Sequence, residues 1–359
     1  MTRAINFNAG PSALPESVLQ RAAEAVREIG GSGMSILEIS HRAEPFLSLH
    51  RDAQDRLLAL LGLSRESFTV LFLGGGASLQ FLMLPMNFLS ADVGADYVDT
   101  GTWATKAIAE ARRLGPVRVA ASSEGDRYAR IPEVDRVDPS SRYLHITTNN
   151  TIEGTQWRTL PDAGAIPLVA DMSSDILSMP RDFGRFSLIY AGAQKNLGPA
   201  GVTIVLIKRS FLETASDNLP PMLSYRVQHA EDSLYNTPPV FGIYVVGLVC
   251  RWIEEQGGLA SVAEHNAAKA QCVYDALDAY PDVFEPTVAI PEHRSQMNIT
   301  FRLRDPSVAD DFLKGARALG MVGLKGHRSV GGFRASLYNA VPLEAAARLA
   351  EYLTSFARR

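Results

Sequence analysis

Cysteine is nearly absent: Cys250 and Cys272 are the only two in a chain of 359 residues. Two thiols cannot build a disulfide framework, and with no Cys-x-x-Cys pair they do not suggest zinc or any other metal. Both fall in helix-patterned stretches, where a packed thiol is expected. No run of about 18 apolar residues is available to span a bilayer. The opening stretch, MTRAINFNAGPSALP, lacks the apolar centre of a signal peptide. A cytoplasmic location without membrane contact is therefore expected. A basic excess is missing too, with Lys+Arg 35 against Asp+Glu 39. The basic residues are scattered apart from Arg112-Arg113 and Arg358-Arg359, so no nucleic-acid face is expected. Internal repeats and low-complexity tracts are also lacking.

What is present is ample apolar material, 46% of residues, enough for a large core. The length suits a large domain plus a smaller one. Helical periodicity covers 15–29 and 47–63, and the second of these is closed by Gly62. Residues 68–73, FTVLFL, read as a buried strand. Three glycines follow, then a helix from Ser78. Short strands are expected at 96–99, 117–121, 142–147, 167–171, 188–191 and 202–207, with a helix at 105–114. Strands alternating with helices predict an α/β domain with a mostly parallel sheet. Residues 218–239 carry four prolines and read as a long irregular segment, a feature more often functional than connecting. Helices at 242–256 and 259–280 follow. The remainder, 283–359, reads as a small α+β unit with strands at 297–303 and 333–337 and helices at 307–319 and 343–357.

Three features carry chemistry. The turn Gly74-Gly75-Gly76-Ala77-Ser78 joins a strand to a helix, so its amides and the helix N-terminus could cradle a phosphate. Taken alone it is equally a plain connection. Asp171 ends a strand, where α/β sheets bind ligands, although a single acid there is commonly a helix cap. Lys195 sits in a glycine-rich turn, Gly192-Ala193-Gln194-Lys195, positioned to condense with an aldehyde; a random lysine is usually a surface charge. The combination is more specific. A phosphate cradle, an acid for a ring nitrogen and an amine for C4′ are what pyridoxal 5′-phosphate requires. Lys195 could then move a proton as general base and acid.

Longer matches run along nearly the whole chain. They are Asn6-Phe7-Asn8-Ala9-Gly10-Pro11, Glu38-Ile39-Ser40-His41-Arg42, Gly74 to Phe81, and Asn149-Asn150-Thr151-Ile152-Glu153-Gly154. Further along come Ala170-Asp171-Met172-Ser173-Ser174, Gly192-Ala193-Gln194-Lys195-Asn196 and Tyr235-Asn236-Thr237-Pro238-Pro239. Lys325-Gly326-His327-Arg328 and Arg334 to Asn339 complete the set. In these segments the sequence resembles the class V, fold-type I aminotransferases, within them the branch that acts on small phosphorylated amino acids. Asn150 stands where many members carry Glu.

The resemblance implies a large cofactor domain, 16–257, with a seven-stranded, mostly parallel sheet flanked by helices. The small domain would comprise 1–15 and 258–359. Lys195 would carry pyridoxal phosphate as a Schiff base and Asp171 would face its pyridine nitrogen. Gly76, Ala77 and Gln194 would contact the cofactor phosphate. Trp103, placed in a Gly-Thr-Trp loop, would stack on the ring, and Thr151 would hydrogen-bond the cofactor. Asn236 and Thr237 would reach the neighbouring subunit's cofactor, making a homodimer necessary. Arg334 would hold the substrate α-carboxylate by a bidentate fork, and His41, Arg42, His327 and Arg328 would surround the substrate phosphate. The implied reaction passes an amino group from O-phospho-L-serine to 2-oxoglutarate, giving glutamate, in serine biosynthesis; 4-phosphooxy-L-threonine, in vitamin B6 synthesis, is a second implied substrate. A cysteine desulfurase needs a mobile-loop thiol, which helical cysteines do not offer. A glyoxylate aminotransferase has no use for two His-Arg pairs. A non-catalytic descendant needs neither Lys195 nor Asp171.

Overall fold

The structure is a computed structural model and describes residues 3–359. The chain begins with a two-residue strand β1 (Ile5–Asn6) and helices α1 (Glu16–Arg27) and α2 (Glu44–Leu60). An alternating stretch follows: β2 (Phe68–Leu73), α3 (Gly76–Phe88), β3 (Ala95–Asp99), α4 (Thr102–Ala111), β4 (Val117–Ser122), β5 (Leu144–Thr147), β6 (Leu168–Asp171), β7 (Phe186–Gly192) and β8 (Thr203–Lys208). Helices α5 (Arg209–Leu212), α6 (Tyr225–Ala230), α7 (Val240–Glu255) and α8 (Gly258–Asp278) lead into the last part. That part holds β9 (Phe284–Pro286), β10 (Asn298–Leu303), α9 (Ala309–Ala318), β11 (Met321–Val322), β12 (Phe333–Ser336) and α10 (Leu343–Ala357).

Seven strands form one sheet in the order β2-β8-β7-β6-β5-β3-β4. Every neighbouring pair is parallel except the two made by β8, which runs against both β2 and β7. All strands but β8 therefore end at the same edge. Side chains alternate across the pleat. Phe72, Ile204, Leu206, Ile189, Ala170 and Ile146 enter one core with α1, α2 and α7. Leu71, Leu73, Val205, Ile207, Val169, Leu188 and Tyr190 enter a second core with α3 and α4. Both faces are covered, which is why β2, β6, β7 and β8 are mostly apolar along their length.

A third core unites Phe7, Phe301, Phe312, Phe333 and Leu349 around the antiparallel sheet β12-β10-β9. Strand β1 pairs with β11, so the N-terminus belongs to this part. Helix α8 serves two cores: Leu259 and Val262 pack in the first, and Ala270 to Leu277 in the third.

Two expectations are corrected. Helix α4 begins at Thr102, not near 105, so Trp103 lies in its first turn and not in a loop. Gly101 has no side chain to cap the helix, and the cap comes from Glu153, distant in sequence. Residues 218–239 are not structureless. Ser224 caps α6 by accepting the Val227 N–H, and a 3-10 turn spans Pro221–Leu223. This segment covers the exposed side of β2: the Phe72 N–H donates to Ser233 Oγ at 3.0 Å, and Thr69 Oγ1 lies 3.0 Å from His229 Nδ1. An edge strand needs such covering.

Candidate active site

The common strand edge collects the candidate residues. Strand β2 ends at Leu73 and turns through Gly74 and Gly75 into α3. Gly75 has φ +81, and a Cβ there would lie 2.5 Å from Leu79 Cβ, so only glycine makes this turn without displacement. Gly76 also has a positive φ, +64. The first amides of α3, from Gly76 and Ala77, point out of the helix start with no intrahelical acceptor. Helix α4 packs beside α3. Ala77 and Trp103 flank the same core. The glycine turn and the indole therefore lie on the same face of the sheet.

Asp171 closes β6, pairs in register with Thr147 of β5 and Tyr190 of β7, and is buried. Its Oδ1 accepts the Ser173 N–H at 2.9 Å, and its backbone carbonyl accepts from the N–H and the hydroxyl of Thr148. The other carboxylate oxygen has no such partner among the described residues. Burial pushes its carboxyl up, while the charge of Lys195 pulls the other way. Lys195 follows the end of β7, half-buried, with Nζ donating to Thr151 Oγ1 at 2.7 Å. Desolvation lowers its ammonium to about 8, opposed by Asp171 and assisted by Arg334. The two groups therefore bias each other toward the charged state in a poorly hydrated place.

Two further elements close on Lys195. The N-terminal arm lies against it: the Ser12 N–H donates to Gln194 O at 3.0 Å, and Ser12 Oγ to Lys195 O at 2.5 Å. From β12, Arg334 donates through Nη1 to Thr151 O at 3.1 Å, while its buried Nε has no partner. Thr151 is thus shared by the lysine and the arginine. Burial lowers the guanidinium, and Tyr338 and Glu153 raise it. Arg334, His327 and Glu153 line a cleft of about 820 Å³ between the loop 124–129 and the sheet of β10 and β12.

The remaining candidates make no hydrogen bond to this group among the described residues. Arg42 is exposed, with Nε 3.3 Å from the half-buried His41 Nε2. Arg328 is exposed beside His327. Asn236 and Thr237 are exposed on the loop before α7, next to the exposed Tyr235. Within one chain Thr151 links Lys195 to Arg334, Asp171 is near enough to act on the Lys195 charge, and the Gly76-Ala77 turn and Trp103 stand at the starts of α3 and α4. Arg42, Asn236 and Thr237 are exposed and His41 is half-buried.

Some residues had no role assigned from sequence. Glu153 caps α4: its Oε1 accepts from Thr102 N at 2.8 Å and Thr102 Oγ1 at 2.7 Å. Asn196 accepts the Asn339 N–H at 3.0 Å, and Tyr338 Oη donates to Ala9 O at 2.9 Å, so the C-terminal part is pinned to the lysine turn. Asp175 and Arg181 form a buried ion pair at 2.9 Å behind Asp171, reinforced by Thr148 and Gln156. Asn196 and Glu153 stood inside quoted motifs; nothing local signalled their partners. Among the described residues no group of His, Cys, Asp or Glu could hold a metal ion.

Comparison with known proteins agrees with this geometry. The family model for class-V aminotransferases matches residues 4–349. The phosphoserine aminotransferase of Lysinibacillus sphaericus is 52% identical over 359 residues, covering 99% of each chain. The solved structure of the phosphoserine aminotransferase from Bacillus circulans subsp. alkalophilus superimposes with a TM-score of 0.96 at 50% identity, covering 99% of both chains. The pyridoxal-phosphate-bound phosphoserine aminotransferase from Trichomonas vaginalis gives a TM-score of 0.90 at 38% identity, over 98% of this chain and 99% of that one. The chain belongs to the class-V aminotransferases, in their phosphoserine aminotransferase branch.

Proposed function

We propose that the chain catalyses O-phospho-L-serine + 2-oxoglutarate ⇌ 3-phosphooxypyruvate + L-glutamate, as two half-reactions that share one site. The observation that carries this reading is the chain of contacts Lys195 Nζ–Thr151–Arg334, which sets an amine of lowered basicity beside a carboxylate-binding guanidinium. The residues also fit pyridoxal phosphate. The start of α3 offers free amides for a phosphate, and Asp171 keeps one oxygen without a partner for a protonated ring nitrogen. Trp103 supplies an aromatic face.

Each residue has a distinct task in this reading. Gly76 and Ala77 would hold the cofactor phosphate with their amides, joined by Gln194. Pyridoxal phosphate, when bound, provides the sink for the electron pair left at Cα. Asp171 keeps a proton on the ring nitrogen, and the buried setting strengthens that pairing. Arg334 grips the substrate α-carboxylate in a fork, which fixes the Cα–H bond relative to Lys195. Lys195 would take the proton from Cα as general base and pass it to C4′ as general acid. Its depressed basicity leaves a usable neutral fraction near pH 7.

A second copy completes the site in this reading. Asn236 and Thr237 reach the partner subunit's cofactor phosphate, and His41, Arg42, His327 and Arg328 converge on the substrate phosphate across a homodimer interface. When glutamate occupies the site, its side-chain carboxylate uses the same cations. The two domains of this reading are 16–257 and 1–15 with 258–359. No helix of the described residues is long and apolar enough to cross a membrane, and we place the enzyme in the cytoplasm, supplying serine.

The test is a half-reaction. Cofactor-loaded protein is mixed with O-phospho-L-serine or, separately, with L-serine, and the near-visible absorbance is followed. Loss of the band with phosphoserine but not with equal serine is expected. An equal response would remove the phosphate pocket, and no band at all would remove the enzyme.

A further inference from the structure

We propose that Glu153 is a positioning residue for the reaction, clamping the start of α4 to the Thr151 loop and so fixing the plane of Trp103 over the cofactor. This rests on the reading above that Trp103 covers the ring. Three sets of contacts carry it.

The first is the clamp. Glu153 Oε1 takes both the backbone N–H and the hydroxyl of Thr102, the residue immediately before Trp103. Gly101, the capping position of α4, has φ +152, and a Cβ there would sit 2.6 Å from the Glu153 carboxyl. A residue that could cap the helix from its own side chain is thus excluded by the carboxylate that replaces it. A negative charge at a helix start is also favoured by the helix dipole.

The second is the rigidity of the other end. The Glu153 carbonyl accepts from Thr300 Oγ1 at 2.9 Å. The loop is closed by Asn150 N–H to Thr155 O and Gly154 N–H to Asn150 O, both 2.8 Å. It is tied to the end of β3 by Thr100 Oγ1 donating to Asn150 Oδ1 at 3.2 Å. Thr151 in this loop holds Lys195 and Arg334. One short loop therefore sets the amine and the guanidinium, and through Glu153 it also sets the indole.

The third is what surrounds the clamp. Glu153 is 3% exposed, and its Oε2 is buried without a hydrogen-bond partner. Trp103 Nε1 is likewise buried without one, so no hydrogen bond from the indole itself fixes the ring. Lys106, one turn on, places Nζ 4.6 Å from the ring centroid. Ring orientation is left to the helix start, the ammonium on the ring face and the apolar packing. Of these, the helix start is the one tied to the lysine loop.

A helix cap that serves stability alone would behave differently from a positioning residue. The experiment titrates pyridoxal phosphate into cofactor-free protein and records the dissociation constant, the visible circular dichroism of the bound cofactor and the melting temperature. E153A, E153Q, T102V and W103A are compared with the parent. We expect W103A and E153A to change the dichroic band alike and to weaken the cofactor about tenfold, the scale of a lost hydrogen bond to a charged group. E153Q keeps an oxygen for Thr102 and restores band and affinity to within about twofold. T102V removes one of the two clamp bonds and falls between; it also decides the matter if E153A does not fold, since a parental band in T102V overturns the proposal. A lowered melting temperature in E153A with parental band and affinity overturns it as well, and so does E153Q behaving like E153A. If W103A keeps the parental band and affinity, the Trp103 assignment itself fails, and this inference fails with it.

Discussion

Lys195 should be an unusually reactive amine in the cofactor-free protein. Burial lowers its ammonium from 10.5 to about 8. At pH 7 a group titrating at 8 is neutral in roughly one molecule in eleven, against roughly one in three thousand at the usual lysine value. The neutral fraction is therefore raised roughly 300-fold, and only the neutral amine attacks a carbonyl. Asp171 is the main influence opposing the shift. Removing its charge in D171N should move the midpoint below 8, because the ammonium loses its nearest stabilising anion. The assay is competitive labelling with a small amine-directed reagent at limiting concentration across the range pH ~6 to ~11. Lys195 is read from its peptide by mass spectrometry, with an exposed lysine such as Lys314 as internal standard. A midpoint near that of the standard would refute the desolvation argument. A D171N midpoint above that of the parent would refute the coupling to Asp171.

Three further outcomes follow from particular contacts. R334K replaces a fork with a single ammonium and should raise KM for both amino acid substrates roughly 10- to 100-fold in steady-state kinetics; an unchanged KM removes Arg334 from carboxylate binding. G76A forces a side chain onto φ +64, costing about 1–2 kcal/mol in denaturant unfolding, and should weaken the cofactor in titration by turning the first amide of α3. Lys269 is buried, donates to Leu337 O at 3.0 Å and Tyr338 O at 2.8 Å, and is lowered to about 7. Between about 7 and 10.5 the unfolded chain holds a proton that the folded one has released, so stability rises with pH through that window. K269M should flatten that rise in urea unfolding curves and cost about 1–3 kcal/mol for each carbonyl left without a donor.

The parts of the fold legible in the sequence are those whose cause is local. Strand β2 runs over 68–73 as expected, because six consecutive apolar or β-prone residues stand immediately before a glycine turn. Helix α10 also matches its expected span, since Pro342 sets its start. The three features of the candidate site were readable as local signatures for a similar reason. Glycines with positive φ, an acid at a strand end and a lysine in a tight turn each leave a short signature, and a common strand direction puts them on one edge. Strand β8 was expected as a strand, but its reversed direction left no mark on an apolar run buried on both faces.

What was not legible depends on contacts between residues far apart in the chain. The start of α4 has no cap of its own, and local reading places the helix near 105; the cap is Glu153, 51 residues on from Thr102. The irregular look of 218–239 comes from prolines at its ends, whereas its middle is ordered by Ser233 and His229 meeting β2, some 160 residues earlier. The N-terminal arm reaches Lys195 through Ser12, 183 residues away. Glu153 and Asn196 stood inside matched segments but carried no assigned role. In each case the physical reason is a polar group that must find a partner once buried. Burial is a property of the assembled sheet and its flanking helices. The same reasoning does not reach Arg42, Asn236 and Thr237, which are exposed, or the half-buried His41. Polar groups at the surface of one chain are satisfied by water, so burial demands no protein partner for them and leaves no signal of a role.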